Sequence, residues 1–409
     1  MARIPVFMST MIYDCAIVGA GPAGSTCARY LAKKGFGVFL LDRHRFPRDK
    51  PCGGGFSYGL LDDFPYLKKR EKEMVHGICQ VGVVHSPNRK ITLRGHVEMA
   101  VTLRTVLDSI LVEEAVDAGS VPAFGLQAKD IRISSDCVRI QTSPEREIKA
   151  RVVVGADGAN SMVARATGLN RKWQANAVTP CRVAEIAMHP DLIDDTYREE
   201  REYHFYANLE GRPGYGWIFP KKNTVNVGLG IVASYASGLP AHFDRFVGFL
   251  MREGLLGKGC NLSTAKGALV PTGGTLEKTY ADRCLLVGDS AGFVNPITGG
   301  GISYAMRAAR HASQVINEGL DRDDLSSSFL SEYQRLWYND FGMSINQMVL
   351  AQKVFTSPYT DLLFEIGSRD RTIRQMVTSS MAESEDPRPD AKRLLARTLW
   401  VCLREALNL

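Results

Sequence analysis

Three short apolar runs along the chain each end in a turn that contains glycine. They occupy residues 15–18, 152–154 and 284–287. Each is too short for a helix and is continuously apolar, which is typical of a strand buried on both faces of a parallel sheet. A segment with a helical pattern follows each turn. This repetition of apolar strand, glycine turn and helix predicts an α/β architecture.

A different pattern, GYGWIFPKKNTVNVGLGI, occupies the middle of the chain. Tyr215, Trp217 and Phe219 stand at alternate positions, so on a strand they share one face. Pro220 ends this strand, residues 221–224 make a turn, and an apolar return strand follows. The pattern predicts a β-hairpin with an aromatic stripe. Without other information, such a stripe is more often core than ligand pocket.

The C-terminal region from residue 341 onwards has a helical pattern. Residues 382–390, AESEDPRPD, have the composition of a mobile linker. A basic amphipathic helix follows, whose apolar face contains Leu394, Leu395, Leu399, Cys402, Leu403 and Leu407 and whose basic residues are Lys392, Arg393, Arg397 and Arg404. Such a helix can lie on an anionic bilayer or pack against its own domain, and the pattern leaves both open.

Composition limits the classes of function. With 409 residues and 45% hydrophobic content, the chain can bury a large core. Its net charge of +6 is modest and dispersed, so no nucleic-acid partner is predicted. Nine cysteines without C-x-x-C spacing indicate a reducing compartment, and no metal site is predicted. Every apolar stretch is shorter than the ~18 residues of a membrane-spanning helix. Residues 1–11 are interpreted as a short leader.

The first glycine turn has the spacing of a dinucleotide-binding fingerprint. Gly19 allows the tight turn, Gly21 lets the backbone approach a pyrophosphate, and Gly24 lets the following helix pack on the strand. Asp42, at the end of the next apolar run, can accept hydrogen bonds from ribose hydroxyls. The helix N-terminus adds unpaired N–H groups for the phosphates. The motif by itself does not distinguish FAD from NAD.

The second and third turns add groups that suit a flavin. Asp157 and Gly158 follow the second strand, and Ser161 is placed to begin a helix, although this segment also fits a plain strand, turn and helix. Asp289 is suited to accept a hydrogen bond from a ribityl hydroxyl. The glycines at 299–301 let N–H groups at a helix start face the pyrimidine edge of a flavin. Alternatively, these glycines only relieve crowding.

The three segments, in this order, resemble the FAD-binding signatures of the p-hydroxybenzoate hydroxylase superfamily. The resemblance implies a mixed α/β fold: a glutathione-reductase-type, Rossmann-like FAD domain interrupted by an antiparallel β-sheet substrate domain, with a helical C-terminal region. In the segment VTLRTVLDSIL, the resemblance implies that Arg104 is a FAD ligand and that Asp108 lies on a helix. Without the resemblance, Arg104 would be interpreted as a solvated charge. The implied cofactor-binding residues are Gly19, Gly21, Ala23, Gly24, Asp42, Arg43, Pro51, Cys52, Gly53, Arg104, Asp157, Gly158, Asp289, Pro296, Gly299, Gly300, Gly301 and Ile302.

Two further motifs narrow the resemblance. The chain resembles the geranylgeranyl reductase family over about residues 12–340. Two motifs carry this resemblance: the pattern Y-x-W-x-F-P followed after seven residues by G-x-G, and the cysteine of KPCGGG. Flavin-dependent halogenases have a related stripe with two tryptophans and an isoleucine, which Tyr215 and Phe219 do not match. The substrate residues implied are Tyr215, Trp217, Phe219, Pro220, Gly228 and Gly230. A polyprenyl chain offers no hydrogen bonds, so only apolar area can hold it.

Cys52 is the candidate catalytic residue. Hydride delivery from flavin N5 to an isolated alkene has to be matched by protonation of the other alkene carbon, so a nearby proton donor is useful. The family resemblance places the cysteine of this loop beside the isoalloxazine ring, and Gly54 and Gly55 allow the close approach. The alternative from the residues alone is that Cys52 is a small buried residue in a turn.

Together these features predict an FAD-dependent reductase that saturates double bonds of a geranylgeranyl group on a membrane lipid or pigment. We expect it in the cytoplasm, peripherally associated with a membrane surface, with reduced ferredoxin, NAD(P)H or a deazaflavin as external electron donor. Alternatives are an FAD monooxygenase or halogenase, and a non-catalytic flavin-bearing isoprenoid carrier. The predicted division is residues 12–58, 97–168 and 278–340 for FAD, 59–96 and 169–277 for substrate, and 341–409 as a helical region.

Overall fold

The computed structural model of the protein describes residues 11–257 and 259–381, together with residues 396, 397 and 400. Most of the predicted leader, the linker at 382–390 and most of the predicted amphipathic helix lie outside these described residues. The residues of that helix which lie outside are Lys392, Arg393, Leu394, Leu395, Leu399, Cys402, Leu403, Arg404 and Leu407. Arg397 is described, and its guanidinium pairs with Asp370 at 2.8 Å.

Sixteen strands and twelve α-helices make up the described chain. Strands β1 to β16 are Ile12–Val18, Val38–Asp42, Gly55–Ser57, Gly77–His85, Thr92–Val101, Val121–Phe124, Gln127–Ile133, Val138–Ser143, Arg146–Gly155, Thr179–Ala187, Glu202–Ala207, Gly214–Pro220, Thr224–Ile231, Lys266–Val270, Tyr280–Ala281 and Cys284–Leu286. Helices α1 to α12 are Pro22–Ala32, Leu60–Asp63, Glu71–Met74, Arg104–Asp117, Met162–Ala166, Pro190–Tyr197, Leu239–Arg252, Ile302–Asp321, Ser327–Trp337, Met343–Phe355, Thr360–Arg369 and Arg371–Met381.

The first sheet carries the three predicted strand, turn and helix units. Its order is β15-β16-β9-β1-β2-β6, and β8 and β7 extend it from β9. Strands β16, β9, β1, β2 and β6 run parallel, and α1 packs between α4 and α8. Because neighbouring parallel strands end at the same edge of a sheet, the three glycine turns meet there. The predicted α/β fold is confirmed.

The second sheet contains the predicted hairpin. Its order is β14-β10-β13-β12-β11-β4-β5-β3. Most neighbours are antiparallel, as predicted, but β4 and β11 run parallel. In the β12–β13 hairpin, Tyr215 lies opposite Gly230 and Trp217 lies opposite Gly228. The aromatic stripe faces one apolar cluster of the sheet, and Ile218 faces the other, where α7 packs.

The sheets depart from the predicted domain boundaries at two places. Strand β5 belongs to the second sheet over its whole length, although residues 97–101 are predicted to belong to the FAD-binding part. Strand β3 also pairs with β5 in the second sheet. The pairing of β5 with β4 shifts register between His96 and Met99, at the predicted boundary, but it resumes at Met99 and continues to Val101, so the strand stays in the same sheet. The division into domains otherwise stays a prediction.

The C-terminal region is helical where it is described. Helix α12 packs against β5, and α11 contacts both of them. The helical region therefore covers one face of the second sheet instead of extending away from it. Within the described part of the chain, no helix combines the length and the apolar character needed to span a membrane.

A half-buried histidine, His85, and a buried one, His204, lie side by side in the second sheet. The Nε2 atom of His85 on β4 lies 3.0 Å from Nδ1 of His204 on β11, and the ring of Tyr206 stacks on His85. Burial disfavours the charged imidazolium and lowers the pKa of His85 to about 4 and that of His204 to about 3. The charge of Arg94 lowers both pKa values further. Both rings are therefore neutral at physiological pH.

We expect acid to destabilise the fold through this histidine pair. In the unfolded chain both rings protonate near pH 6.5, whereas the folded protein keeps them neutral to about pH 4 and 3. Because the unfolded state binds more protons in this window, the free energy of unfolding falls as the pH drops, by about 1.4 kcal/mol per pH unit for each histidine. Denaturant unfolding between pH 7 and pH 4 measures the slope. An equal slope in His85→Phe would contradict this origin.

Candidate functional site

Two clefts meet along the edge of the first sheet where its parallel strands end. The stripe cleft lies between Cys52, the aromatic stripe and the glycine run at 299–301. The fingerprint cleft follows Gly19, Gly21 and Asp42. The two share Pro22, Lys50, Pro51, Asp289 and Ala305. They therefore form one continuous surface that an extended ligand could occupy.

Most of the predicted site residues line one of these clefts. The fingerprint cleft has Gly19, Gly21, Ala23, Asp42, Arg43, Pro51, Asp157, Gly158 and Asp289. The stripe cleft has Pro51, Cys52, Gly53, Arg104, Tyr215, Trp217, Phe219, Asp289, Gly299, Gly300, Gly301 and Ile302. Gly24, Pro220, Gly228, Gly230 and Pro296 line neither. The roles assigned to all these residues stay predictions.

The fingerprint turn can be made only by glycine at two positions. A Cβ on Gly19 would lie 2.3 Å from the Ala156 carbonyl oxygen, and φ of Gly19 is +101°. A Cβ on Gly24 would lie 1.8 Å from the Gly19 carbonyl oxygen. The Asp42 carboxylate then ties the turn to β2, because it accepts hydrogen bonds from the Ala20 and His44 amides at 2.9 and 2.8 Å. Each oxygen keeps capacity for a further donor.

Asp157 holds the second turn by capping α5. Its carboxylate accepts hydrogen bonds from the Met162 amide at 2.6 Å and from the Ser161 hydroxyl at 2.6 Å. Burial raises the pKa of Asp157, while these hydrogen bonds act in the opposite direction. Ser161 is the N-cap of α5, as its sequence position predicts, and accepts from the Ala164 amide. Asp157 therefore shapes the turn that lines the fingerprint cleft.

The prediction missed Arg48, which follows β2 and lines the fingerprint cleft. One terminal nitrogen lies 3.0 Å from the Asp108 carboxylate, and a Cβ on Gly21 would lie 3.4 Å from the same group. The Nε atom is buried without a hydrogen-bond partner in the described part of the chain. A guanidinium with an unused N–H beside a glycine turn suits a phosphate oxygen. The basic stretch DRHRFPR was the only sequence signal for it.

The turn and Arg48 together fit the pyrophosphate of the predicted FAD. We expect Arg48→Ala to weaken FAD binding by about 10- to 100-fold, the range of a charge-assisted hydrogen bond. Titration of apoprotein with FAD, followed by quenching of flavin fluorescence, measures the Kd. Arg45→Ala is the matched control, because Arg45 is an exposed arginine of the same loop. Equal Kd values for wild type and Arg48→Ala would exclude the contact.

The G-x-G of the hairpin makes room for the aromatic stripe. A Cβ on Gly228 would lie 1.9 Å from the Trp217 ring, and one on Gly230 would lie 2.8 Å from the Cys181 sulfur. The indole can therefore lie across β13 only because position 228 is glycine. Tyr215 and Trp217 are buried, with ring centroids 5.6 Å apart. The stripe forms one apolar wall of its cleft.

The Cys52 loop, residues 50–55, lies in close contact with this wall. A Cβ on Gly53 would lie 2.6 Å from the Phe219 ring. A Cβ on Gly54, whose φ is +78°, would lie 2.1 Å from the Thr102 carbonyl oxygen. Side chains at these positions would therefore push the loop away. Cys52 itself is half-buried, and its sulfur accepts a hydrogen bond from the Gly54 amide at 3.4 Å.

Arg104 is a buried cation beside the Cys52 thiol. The alternative of a solvated charge is wrong, because Arg104 is 6% exposed. Its guanidinium makes two hydrogen bonds to Asp108, at 2.7 and 2.8 Å, and interacts electrostatically with the nearby Cys52 thiol. Burial alone would lower the pKa of Arg104, but Asp108 and Cys52 more than offset this and raise it. Arg104 lines the stripe cleft, so a contact with the nucleotide end of FAD stays a prediction.

The third glycine turn faces the stripe. Gly299, with φ of +74°, lies so close to Tyr215 that a Cβ would meet its hydroxyl at 1.9 Å. Helix α8 begins directly after this run, at Ile302, so its N-terminal N–H groups lie beside the stripe cleft. Lys50 pairs with Asp289 at 3.5 Å where the two clefts join. The N-terminus of α8, which favours negative charge, therefore lies opposite the apolar wall of the site.

Known proteins are similar to this chain in sequence and in fold. A family model described as an FAD binding domain matches residues 13–335. "Digeranylgeranylglycerophospholipid reductase 1" of Methanopyrus kandleri is 32% identical over 81% of this chain and 87% of its own length, and "reductase 2" of the same organism is 30% identical over 95% and 97%. A "geranylgeranyl bacteriochlorophyll reductase-like" structure from Thermoplasma acidophilum superposes with a TM-score of 0.80 at 23% identity, over 95% of this chain and 99% of that one. The halogenase PltM, in complex with FAD and phloroglucinol, gives a TM-score of 0.71 at 14% identity, over 97% and 93%.

Proposed function

Because the chain belongs to the geranylgeranyl reductase family of FAD-dependent oxidoreductases, we propose that it reduces carbon–carbon double bonds of a geranylgeranyl lipid. FAD is its cofactor. The observation that carries the proposal is the stripe cleft, in which Cys52 stands between an aromatic wall and the glycine run before α8. An enzyme for aromatic hydroxylation or halogenation shares the fold, but the cysteine loop and the stripe motif favour the reductase.

The cleft suits a substrate without polar groups. A prenyl chain can be held only through buried apolar area, at about 25 cal/mol per Å². Tyr215, Trp217 and Phe219 offer flat faces to trisubstituted alkenes, and Val183 and Phe205 extend the apolar lining. Any positive charge that develops on the alkene carbon would also be favoured over an aromatic face. We propose that these residues hold the double bond in place.

We propose that Cys52 supplies the proton for the reduction. Bound and reduced FAD supplies a hydride, so the second alkene carbon needs one proton. As the new C–H bond forms, the S–H bond of Cys52 breaks and a thiolate remains. The Gly54 amide donates a hydrogen bond to the sulfur, and the positive charge of Arg104 acts on it, so both would stabilise that anion. Water can then return the proton to the thiolate before the next turnover.

The relatives point to the kind of lipid. Their printed name is digeranylgeranylglycerophospholipid reductase, and we propose an isoprenoid glycerophospholipid as the substrate here. Such a substrate resides in a bilayer, so we also propose that the protein works in the cytoplasm at a membrane surface. An external donor, either reduced ferredoxin, NAD(P)H or a deazaflavin, would reduce the bound FAD.

Anaerobic reduction of a defined lipid tests the function. Purified protein with FAD, chemically reduced, is incubated with digeranylgeranylglycerophospholipid, and the lipid mass is measured. We expect a gain of two hydrogen atoms for each double bond, and no gain with free FAD and reductant alone. An unchanged mass with retained lipid binding would favour the isoprenoid carrier. Oxygen-dependent conversion of an aromatic substrate would favour the monooxygenase or halogenase.

A further inference from the structure

A buried asparagine joins the Cys52 loop to the aromatic stripe. Asn226 on β13 is 2% exposed. Its side-chain oxygen accepts a hydrogen bond from the Trp217 indole N–H at 2.8 Å. Its side-chain nitrogen donates to the Cys52 carbonyl at 3.0 Å and to the Glu185 carboxylate at 2.7 Å. One amide group therefore links the loop and the wall of the stripe cleft.

These three partners allow only one orientation of the amide. An indole N–H only donates, whereas a backbone carbonyl and a carboxylate only accept. A flipped Asn226 would place its NH₂ group against the Trp217 N–H and its oxygen against the other two partners. The hydrogen bonds thus set the direction of the Cys52 carbonyl and of the Trp217 indole at the same time.

The network is anchored by an ion pair between a buried lysine, Lys221, and a partly exposed glutamate, Glu185. The Glu185 carboxylate on β10 accepts from the Lys221 ammonium at 2.8 Å and from the Thr224 hydroxyl at 2.5 Å. Lys221 is 1% exposed. Hydrogen bonds to a charged group are about twice as strong as neutral ones, so Asn226 is held firmly on the Glu185 side. The second sheet thus provides a rigid base for the loop.

Two hydrogen bonds to backbone carbonyls hold the loop ahead of β3. Its three glycines carry no side chains that could be fixed by packing. Within the described chain, the Gly54 carbonyl accepts from the Thr102 amide at 2.9 Å, and Asn226 holds the carbonyl of Cys52. The two contacts fix the loop on either side of Gly53. Loss of the Asn226 contact would remove the hydrogen bond that fixes the Cys52 carbonyl, although the ion pair of Lys50 with Asp289 would remain.

We propose that Asn226 is a positioning residue, which sets the Cys52 thiol and the Trp217 ring at a fixed separation. Its effect on turnover rests on the proposed function, since the separation matters only if Cys52 gives a proton to a double bond that lies on the stripe. Its effect on the loop does not depend on the substrate. The two effects can therefore be measured separately.

Alkylation of Cys52 measures the effect on the loop without substrate. FAD-loaded protein is treated with iodoacetamide, and the Cys52 peptide is quantified by mass spectrometry over time. We expect Asn226→Ala to raise the rate by roughly three- to tenfold, which corresponds to one lost hydrogen bond. Asn208→Ala is the matched control. Asn208 is a buried asparagine after β11 that donates to the Phe355 carbonyl, and its loss should leave the Cys52 rate unchanged.

Turnover measures the effect on the reaction. We expect Asn226→Ala to lower kcat by about tenfold or more while KM for the lipid changes by less than about twofold, since ground-state binding is retained. Asn226→Asp should be at least as slow, because it places a carboxylate oxygen against the Cys52 carbonyl and Glu185. Glu185→Gln, at a half-exposed position, is the second variant should the Asn226 variants fail to fold. It should shift both readouts in the same direction by a smaller factor.

Three outcomes would overturn the proposal. They are an Asn226→Ala alkylation rate equal to that of wild type, a rate equally raised in Asn208→Ala, or a raised KM with unchanged kcat. A wild-type protein that binds FAD but reduces no lipid would instead overturn the proposed function. In that case the alkylation rates still test the role of Asn226 in positioning the loop.

Discussion

Cys52→Ala is expected to lower kcat for lipid reduction by about 100-fold or more while FAD stays bound. A positioned general acid contributes about 10²- to 10⁴-fold to a rate, and the variant removes the proposed donor. The loop should keep its place, because the contact with Asn226 is made by the backbone carbonyl of residue 52. Steady-state turnover with reduced protein gives kcat, and the flavin absorbance of the purified protein reports the bound FAD.

The matched control is Cys260→Ala. Cys260 is the other half-buried cysteine of the described chain, and it lies outside both clefts. Its removal should leave kcat close to that of wild type. Cys52→Ser should fall between wild type and alanine, because a hydroxyl preserves the size but is a weaker acid. Normal turnover of Cys52→Ala with FAD retained would eliminate the thiol as the proton donor.

Gly24→Ala is expected to abolish FAD binding and to lower the stability of the fold. The added Cβ would lie 1.8 Å from the Gly19 carbonyl oxygen and 3.2 Å from the Ala156 Cβ. Neither neighbour can rotate away, so α1 has to move off the turn and its N–H groups leave the fingerprint cleft. Such overpacking costs about 1 to 3 kcal/mol or more. Flavin absorbance and thermal unfolding measure the two effects.

Gly37→Ala provides the control for this variant. Gly37 lies between α1 and β2 in the same unit, and a Cβ there would make an ordinary contact of 3.5 Å with Asp14. We expect it to bind FAD and to unfold close to the wild-type temperature. If Gly24→Ala retained both FAD and the wild-type unfolding temperature, helix packing at this turn would not be needed for the cofactor.

Local patterns in the sequence were sufficient for the fold class. The continuous apolar strands, the glycine turns and the N-cap at Ser161 depend on residues close together in the chain, so periodicity and turn chemistry reveal them. The predicted domain boundary at residue 97 divides β5, because the pairing of this strand with β4 is decided by a partner strand and not by a local pattern. The parallel pairing of β4 with β11 likewise joins segments far apart in sequence.

The parts of the site that contain a sequence motif could be predicted. The fingerprint, the Cys52 loop and the stripe lie along the two joined clefts, whereas Arg48 and Asn226, which belong to no motif, were missed. The position of Arg48 depends on the path of the loop after β2, which no local pattern specifies. Asn226 did leave a signal. It stands two residues before Gly228, on the face of β13 that meets the stripe, and a polar residue at such an inward position calls for a partner.

The interleaving of the two sheets has a consequence for how the chain folds during synthesis. Strand β16 pairs with β9, but roughly 130 residues that include the whole β12–β13 hairpin are synthesised between them. The third glycine turn and α8 follow β16, so the FAD site cannot close until most of the chain has emerged from the ribosome. The β12–β13 hairpin, which carries the aromatic stripe, is therefore made before the flavin site is complete. We expect a single late folding step, dominated by contacts distant in sequence, and slow refolding in vitro.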